Sequence, residues 1–172
     1  MPALRTALAV LHALGWAAYL GGAVYMEVVW RPAQEHIPPS QINVLCQRMG
    51  QRYRWLALSA LALLAATGVG LVLVGPATTR PSLSLSGSYG RTLAALALCW
   101  AALVTLVAVM AVVAHPALHA RTPAEMTAAE RAIARESVRG AIRRMDLLLR
   151  VELGVAVVAV VLGTSLRFGG LV

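Results

Sequence analysis

The sequence predicts an all-α integral membrane protein, an antiparallel four-helix transmembrane bundle with amphipathic cytoplasmic helical extensions. Three observations predict it. Hydrophobic residues make up 59% of the 172-residue chain and charged residues 13%, against about 45–50% and about 25% in soluble domains. Mean hydropathy is +0.74, and a soluble core of this size could not hide so much apolar surface. Four apolar runs reach the ~20 residues that a helix needs to cross a hydrocarbon core of about 30 Å. All fifteen basic residues are arginines, gathered mainly in alternate loops. One domain, residues 1–172, accounts for a chain of this length.

The first span covers about 7–30. Its apolar stretch is too long for a signal peptide and carries Trp16, Tyr19 and Trp30, so it reads as retained. The second, 55–74, and the third, 92–114, carry no charge. The fourth, about 147–166, carries Arg150 and Glu152 near its start. In lipid the backbone must satisfy its own hydrogen bonds, so each is a helix.

Orientation follows from the arginines. The N-terminus, second loop and C-terminus carry Arg5, Arg80, Arg91 and Arg167; the other eleven lie in the first and third loops and the start of the fourth span. The positive-inside rule then puts both termini outside and the first and third loops in the cytoplasm. The same distribution explains a pI near 11.0 without nucleic acid as a partner. The arginine-only, Ala-rich composition suggests a GC-rich bacterial genome.

Both cytoplasmic loops read as helical. Pro38-Pro39-Ser40 offers a stop and a cap, and Ile42, Leu45, Cys46, Met49 and Tyr53 recur at helical spacing toward the second span. Thr122-Pro123-Ala124-Glu125 is a capping box, predicting a helix that continues through Asp146 into the fourth span. The second loop, Gly75 to Gly90, is rich in Ser, Pro and Gly and reads as an external connection.

The first span holds the candidate site. Stepping about 100° per residue from His12, Trp16, Tyr19, Ala23, Met26 and Trp30 fall within about 40° of it, and Glu27 about 60° away. Ionisable groups inside a membrane are costly and usually face a bundle and a partner. His12, Met26 and Glu27 can therefore line a path for a metal ion, although they lie too far apart to form one coordination sphere. The competing reading is a packed aromatic seam, with His12 bonded to a neighbour and Glu27 paired with Arg31. No other histidine shares the depth of His12, which argues against a bis-histidine haem within one chain.

His115 and His119 stand four residues apart. On an unbroken helix both would face one way and could chelate a metal, but Pro116 predicts a helix end at His115 and two interfacial histidines. Depth alone would group them with Glu27 and His36. Cys99 and Met110 lie within about 20° of each other on the third span; soft sulfur selects Cu(I), while such residues also serve as packing. Arg150 and Glu152 read as an interfacial charge network rather than a proton relay. No hydrolase, P-loop or dinucleotide motif is present, Cys46 and Cys99 make no CxxC pair, and no catalytic residue is assigned.

Leu11-His12, Trp16, Tyr19-Leu20-Gly21-Gly22 and Arg31-Pro32, followed by Arg52-Tyr53-Arg54-Trp55-Leu56-Ala57 and Ala66-Thr67-Gly68, resemble the opening helices of the copper resistance D (CopD) domain family of bacterial inner-membrane proteins. Ser88-Tyr89-Gly90-Arg91 is similar to that family's entry to the next helix; where the family then carries a Lys, this chain has Leu96. The resemblance covers roughly 11–103 and implies copper binding or transport, with a copper-delivering protein as a partner. The four-span bacterial protoporphyrinogen oxidase opens similarly and binds haem. Haem b on His12, in a membrane redox protein or oxidase, is therefore the alternative, and a non-catalytic scaffold or partner subunit is a third. A four-helix unit is thin for a transporter alone, which points to a homodimer.

Overall fold

The computed structural model describes residues 2–75, 85–118 and 128–171. Helix α1 spans Pro2–Tyr25, a π-helical turn follows at Met26–Trp30, and a short α2 at Arg31–Gln34 completes one continuous rod. Helices α3 (Pro39–Leu73), α4 (Ser88–Leu118) and α5 (Ala128–Ser165) follow, and a 3-10 turn at Leu166–Phe168 closes the fold. No strand occurs among the described residues.

Four segments are long and apolar enough to cross a membrane: Pro2–Gln34, Val44–Leu73, Ser88–Val112 and Ile142–Phe168. All four exceed the apolar runs seen in the sequence, because the helices continue into their polar flanks. Pro2 and Pro39 stand at helix starts, where a missing N–H costs nothing. The expected extension from Pro39 into the second span is present as α3, and α5 runs unbroken through Asp146. The helix end expected at His115 is not observed: α4 continues past Pro116 to Leu118. The Thr122–Glu125 capping box and His119 lie outside the described residues.

Helix α1 packs along α3. The open space at Gly22 admits Tyr53 and Leu56, each 3.3 Å from where a Cβ would stand, and Gly15 admits Leu64 at 3.1 Å. Leu8, at the start of α1, meets Gly70 near the end of α3. Helix α5 packs on α4, with Leu96 beside Gly163. Tyr19, Leu61, Leu103, Val107 and Ala156 form the centre of the core. Trp100 joins α4 to α3 by donating its indole N–H to the Leu61 carbonyl at 3.0 Å.

Only 17–28% of each span's most apolar window is buried inside the protein. Val28, Trp55, Val69, Leu98, Val112 and Val161 point outward. Water would make that surface costly to leave open, so the protein is suited to a lipid bilayer as its solvent.

Candidate functional site

Three polar positions follow one another along the inner side of α1, each completed by other helices. The first lies at the π-helical turn. Pro32 lacks an N–H, and its ring would press on the carbonyl four residues earlier, that of Val28. A π turn widens the helix there: the Arg31 N–H reaches back to the Met26 carbonyl. The turn presents Met26, Glu27 and Trp30 toward α3 and α5.

They line a small, partly open pocket together with Arg31, Cys46, Gly50, Met145, Asp146 and Leu149. Three sulfur side chains, Met26, Cys46 and Met145, thus share one cavity with two carboxylates. The two arginines hold Glu27 by a single oxygen. Arg31 Nη1 donates to Glu27 Oε1 at 2.6 Å, and Arg150 Nε donates to the same oxygen at 3.1 Å. Arg31 Nε also lies 3.6 Å from Asp146 Oδ2. Glu27 Oε2 is buried and has no hydrogen-bond partner among the described residues.

The expected Glu27–Arg31 pair is present. Of the expected interfacial charge network, Arg150 takes part, with Glu27, Arg31 and Asp146, whereas Glu152 points the other way on α5. Two consecutive even positions on a helix are about 200° apart, so one residue faces the polar rim while the other enters the core.

Glu152 forms the second position. It is 0% exposed and Tyr19 is 1% exposed. Tyr19 from α1 and Tyr53 from α3 both donate their hydroxyls to Glu152 Oε1, at 2.5 Å and 2.9 Å. Glu152 Oε2 is buried without a partner among the described residues. The Trp16 and Tyr19 rings meet in a T-shaped contact, with centroids 6.2 Å apart.

The third position is His12. Its Nδ1 lies 2.8 Å from Thr67 Oγ1, and the ring rests on Gly68 at 3.5 Å from a notional Cβ. The Thr67 hydroxyl spends its proton on the Leu63 carbonyl, at 2.6 Å. It therefore accepts from His12 Nδ1–H, which leaves the lone pair of the neutral ring on Nε2. A hydrogen bond on one ring nitrogen that aims the other is the usual preparation of a histidine ligand.

The sequence-predicted residues therefore separate. Met26 and Glu27 share the cavity. His12 lies fourteen residues away, about 21 Å along the helix axis. His115 lies on the last turns of α4. Met110 belongs to the buried core and Cys99 is half-buried. Among the described residues, no three His, Cys, Asp or Glu side chains are placed together to hold a metal ion. The donors gathered around Met26 are three sulfurs and two carboxylates. Sequence reasoning missed Met145, Asp146, Thr67 and the Glu152–tyrosine cluster as parts of these sites. Cys46 could be seen on an amphipathic stripe, but its neighbour Met145 lies 99 residues on, beyond any local periodicity.

In comparisons with known proteins, no family model matches the chain, and no curated protein or solved structure matches it.

Proposed function

We propose that this chain takes up copper(I) as cargo in the cavity beside the π-helical turn, held by Met26, Cys46 and Met145 with Glu27 and Asp146 close by. The observation that carries the reading is the meeting of two thioethers and a thiol in one cavity. Soft donors of this kind select Cu(I) over harder divalent cations. The unpartnered Glu27 Oε2 adds a negative edge that a cation would satisfy. The resemblance of 11–103 to the copper resistance D family points the same way.

The test is Cu(I) affinity, measured against a chromogenic chelator under reducing conditions. Replacing Met26 and Met145 by Ile and Cys46 by Ser together is expected to weaken binding at least ~100-fold, since each tenfold is only about 1.4 kcal/mol. His12→Ala is expected to leave this site intact. Unchanged affinity in the triple variant overturns the reading.

In this reading the four helices form an antiparallel bundle across a bacterial inner membrane. Both termini lie outside, and the helical extensions with most of the arginines lie in the cytoplasm, as the positive-inside rule requires. The cavity then opens near the cytoplasmic face, within reach of a copper-delivering protein. A homodimer would supply the wall that one thin bundle lacks.

A second reading draws on His12. A histidine anchored by Thr67 through Nδ1 is prepared to offer Nε2 to a haem iron. It predicts a Soret band, in protein made by haem-replete cells, that His12→Ala removes. A colourless preparation excludes it, and absence of both haem and copper leaves the scaffold role.

A further inference from the structure

We propose that Glu152 is an intramembrane proton-binding site: Tyr19 and Tyr53 hold one carboxyl oxygen from two other helices, and the second oxygen takes up and releases a proton. This goes beyond the copper reading and does not depend on it.

The argument begins with what surrounds the carboxyl. Helix α1 contributes Tyr19 and α3 contributes Tyr53, both neutral donors to Oε1. Helix α4 has no ionisable side chain between Arg91 and His115 except Cys99. On α5 itself the nearest cation, Arg150, is committed to Glu27. No cation therefore pairs with Glu152 among the described residues. A permanently charged, unpaired carboxylate in a membrane interior is expensive. A purely structural clamp would need only Oε1; it gives no reason for a second buried oxygen without a partner. Burial of Tyr19 and Glu152 at 1% and 0% exposure leaves no room for a hydrated ion at that oxygen. A proton is the ligand that fits.

The cluster also has a neighbour through which protons can arrive. Leu149 and Gly50 line the cavity, and Glu152 and Tyr53 each lie three residues further along the same helices. The carboxyl is thus one helical turn deeper than a cavity edged by Glu27 and Asp146. Tyr53 is less buried than Tyr19. On release, the O–H bond at Oε2 breaks, the electron pair stays with the carboxylate, and the proton passes to a water molecule that enters from the cavity side as the cluster opens. The two phenols remain donors to Oε1 and stabilise the charge. Uptake reverses each step.

Infrared spectroscopy of the purified full chain in lipid nanodiscs tests this directly. The carbonyl stretch of a neutral carboxylic acid is expected in the wild-type protein and absent in Glu152→Gln, whose amide can still accept from both tyrosines. Raising the pH should abolish that band, for about one proton per chain, while carboxylate bands grow. Two results overturn the proposal: no such band at any pH, or a band unchanged over the whole pH range in which the protein stays folded. Tyr53→Phe decides the matter should Glu152→Gln not fold. Loss of one hydrogen bond should shift the band to higher frequency, and an unmoved band assigns it to another carboxyl and overturns the proposal.

Discussion

Glu152 is the residue on which three helices converge. Its Oε1 accepts from α1 and α3 while its backbone belongs to α5, so one side chain replaces what would otherwise be three apolar contacts. Removing it without replacement leaves two phenols without an acceptor, each worth about 1–3 kcal/mol when buried. Glu152→Leu is therefore expected to lower the thermal midpoint in detergent by several degrees. Glu152→Gln should stay close to the wild type, and equal melting of all three would show that the tyrosines find other partners. His12 is held more lightly. Thr67→Val keeps the shape but removes the oxygen that accepts from Nδ1, at a cost of about 1 kcal/mol. The consequence expected is a ring free to turn, read as a lost or broadened haem spectrum if His12 carries haem.

At the scale of elements, the π turn and two glycines set the geometry. Restoring an N–H at position 32 by Pro32→Ala lets an ordinary α turn replace Met26–Trp30, which would rotate Met26 and Glu27 away from α5. Helical content should hold or rise while Cu(I) affinity falls about tenfold or more; undiminished affinity would show that the wide turn is not needed. Gly22→Val would press two methyl groups on Tyr53 and Leu56, which already stand 3.3 Å from a Cβ. Overpacking of that kind costs about 1–3 kcal/mol and should also displace Tyr53 from Glu152. At the other end of α5, Gly170 has φ +96°. A Cβ there would lie 2.7 Å from Thr92 Oγ1, and the Leu171 N–H donates to that same oxygen at 3.1 Å. Gly170→Ala should release the C-terminal residues from α4, seen as faster amide exchange at Leu171 with little change in melting.

The whole molecule is organised by its solvent. Less than a third of every spanning window is buried inside the protein and the exposed positions are largely apolar, while the polar groups are turned inward in three clusters spaced along α1. Such an arrangement inverts the soluble pattern only on the outside; inside, the described polar groups are hydrogen-bonded as in any core, apart from the second carboxyl oxygens of Glu27 and Glu152. Orientation can be tested in a background with Cys46→Ser and Cys99→Ser. A membrane-impermeant maleimide should label Arg91→Cys in intact cells and leave Arg48→Cys unlabelled until the membrane is opened. Labelling of both from the same side would overturn the four-span orientation.

The sequence by itself determined that the chain is helical and membrane-adapted, because hydropathy and the 3.6-residue period are local properties that each segment carries alone. It also determined the Glu27–Arg31 pair, since residues four apart on a helix face each other, and the polar face of the first span. Tertiary structure alone decided which side chains complete that face. Cys46 and Met145 join Met26, Thr67 anchors His12, and Glu152 leaves its neighbour Arg150 to meet two tyrosines 133 and 99 positions away in the chain. These partnerships depend on how helices rotate and slide against one another. The close approaches at Gly15 and Gly22 and the widened turn before Pro32 set those rotations, and a helical wheel drawn for one span contains no information about its neighbour's.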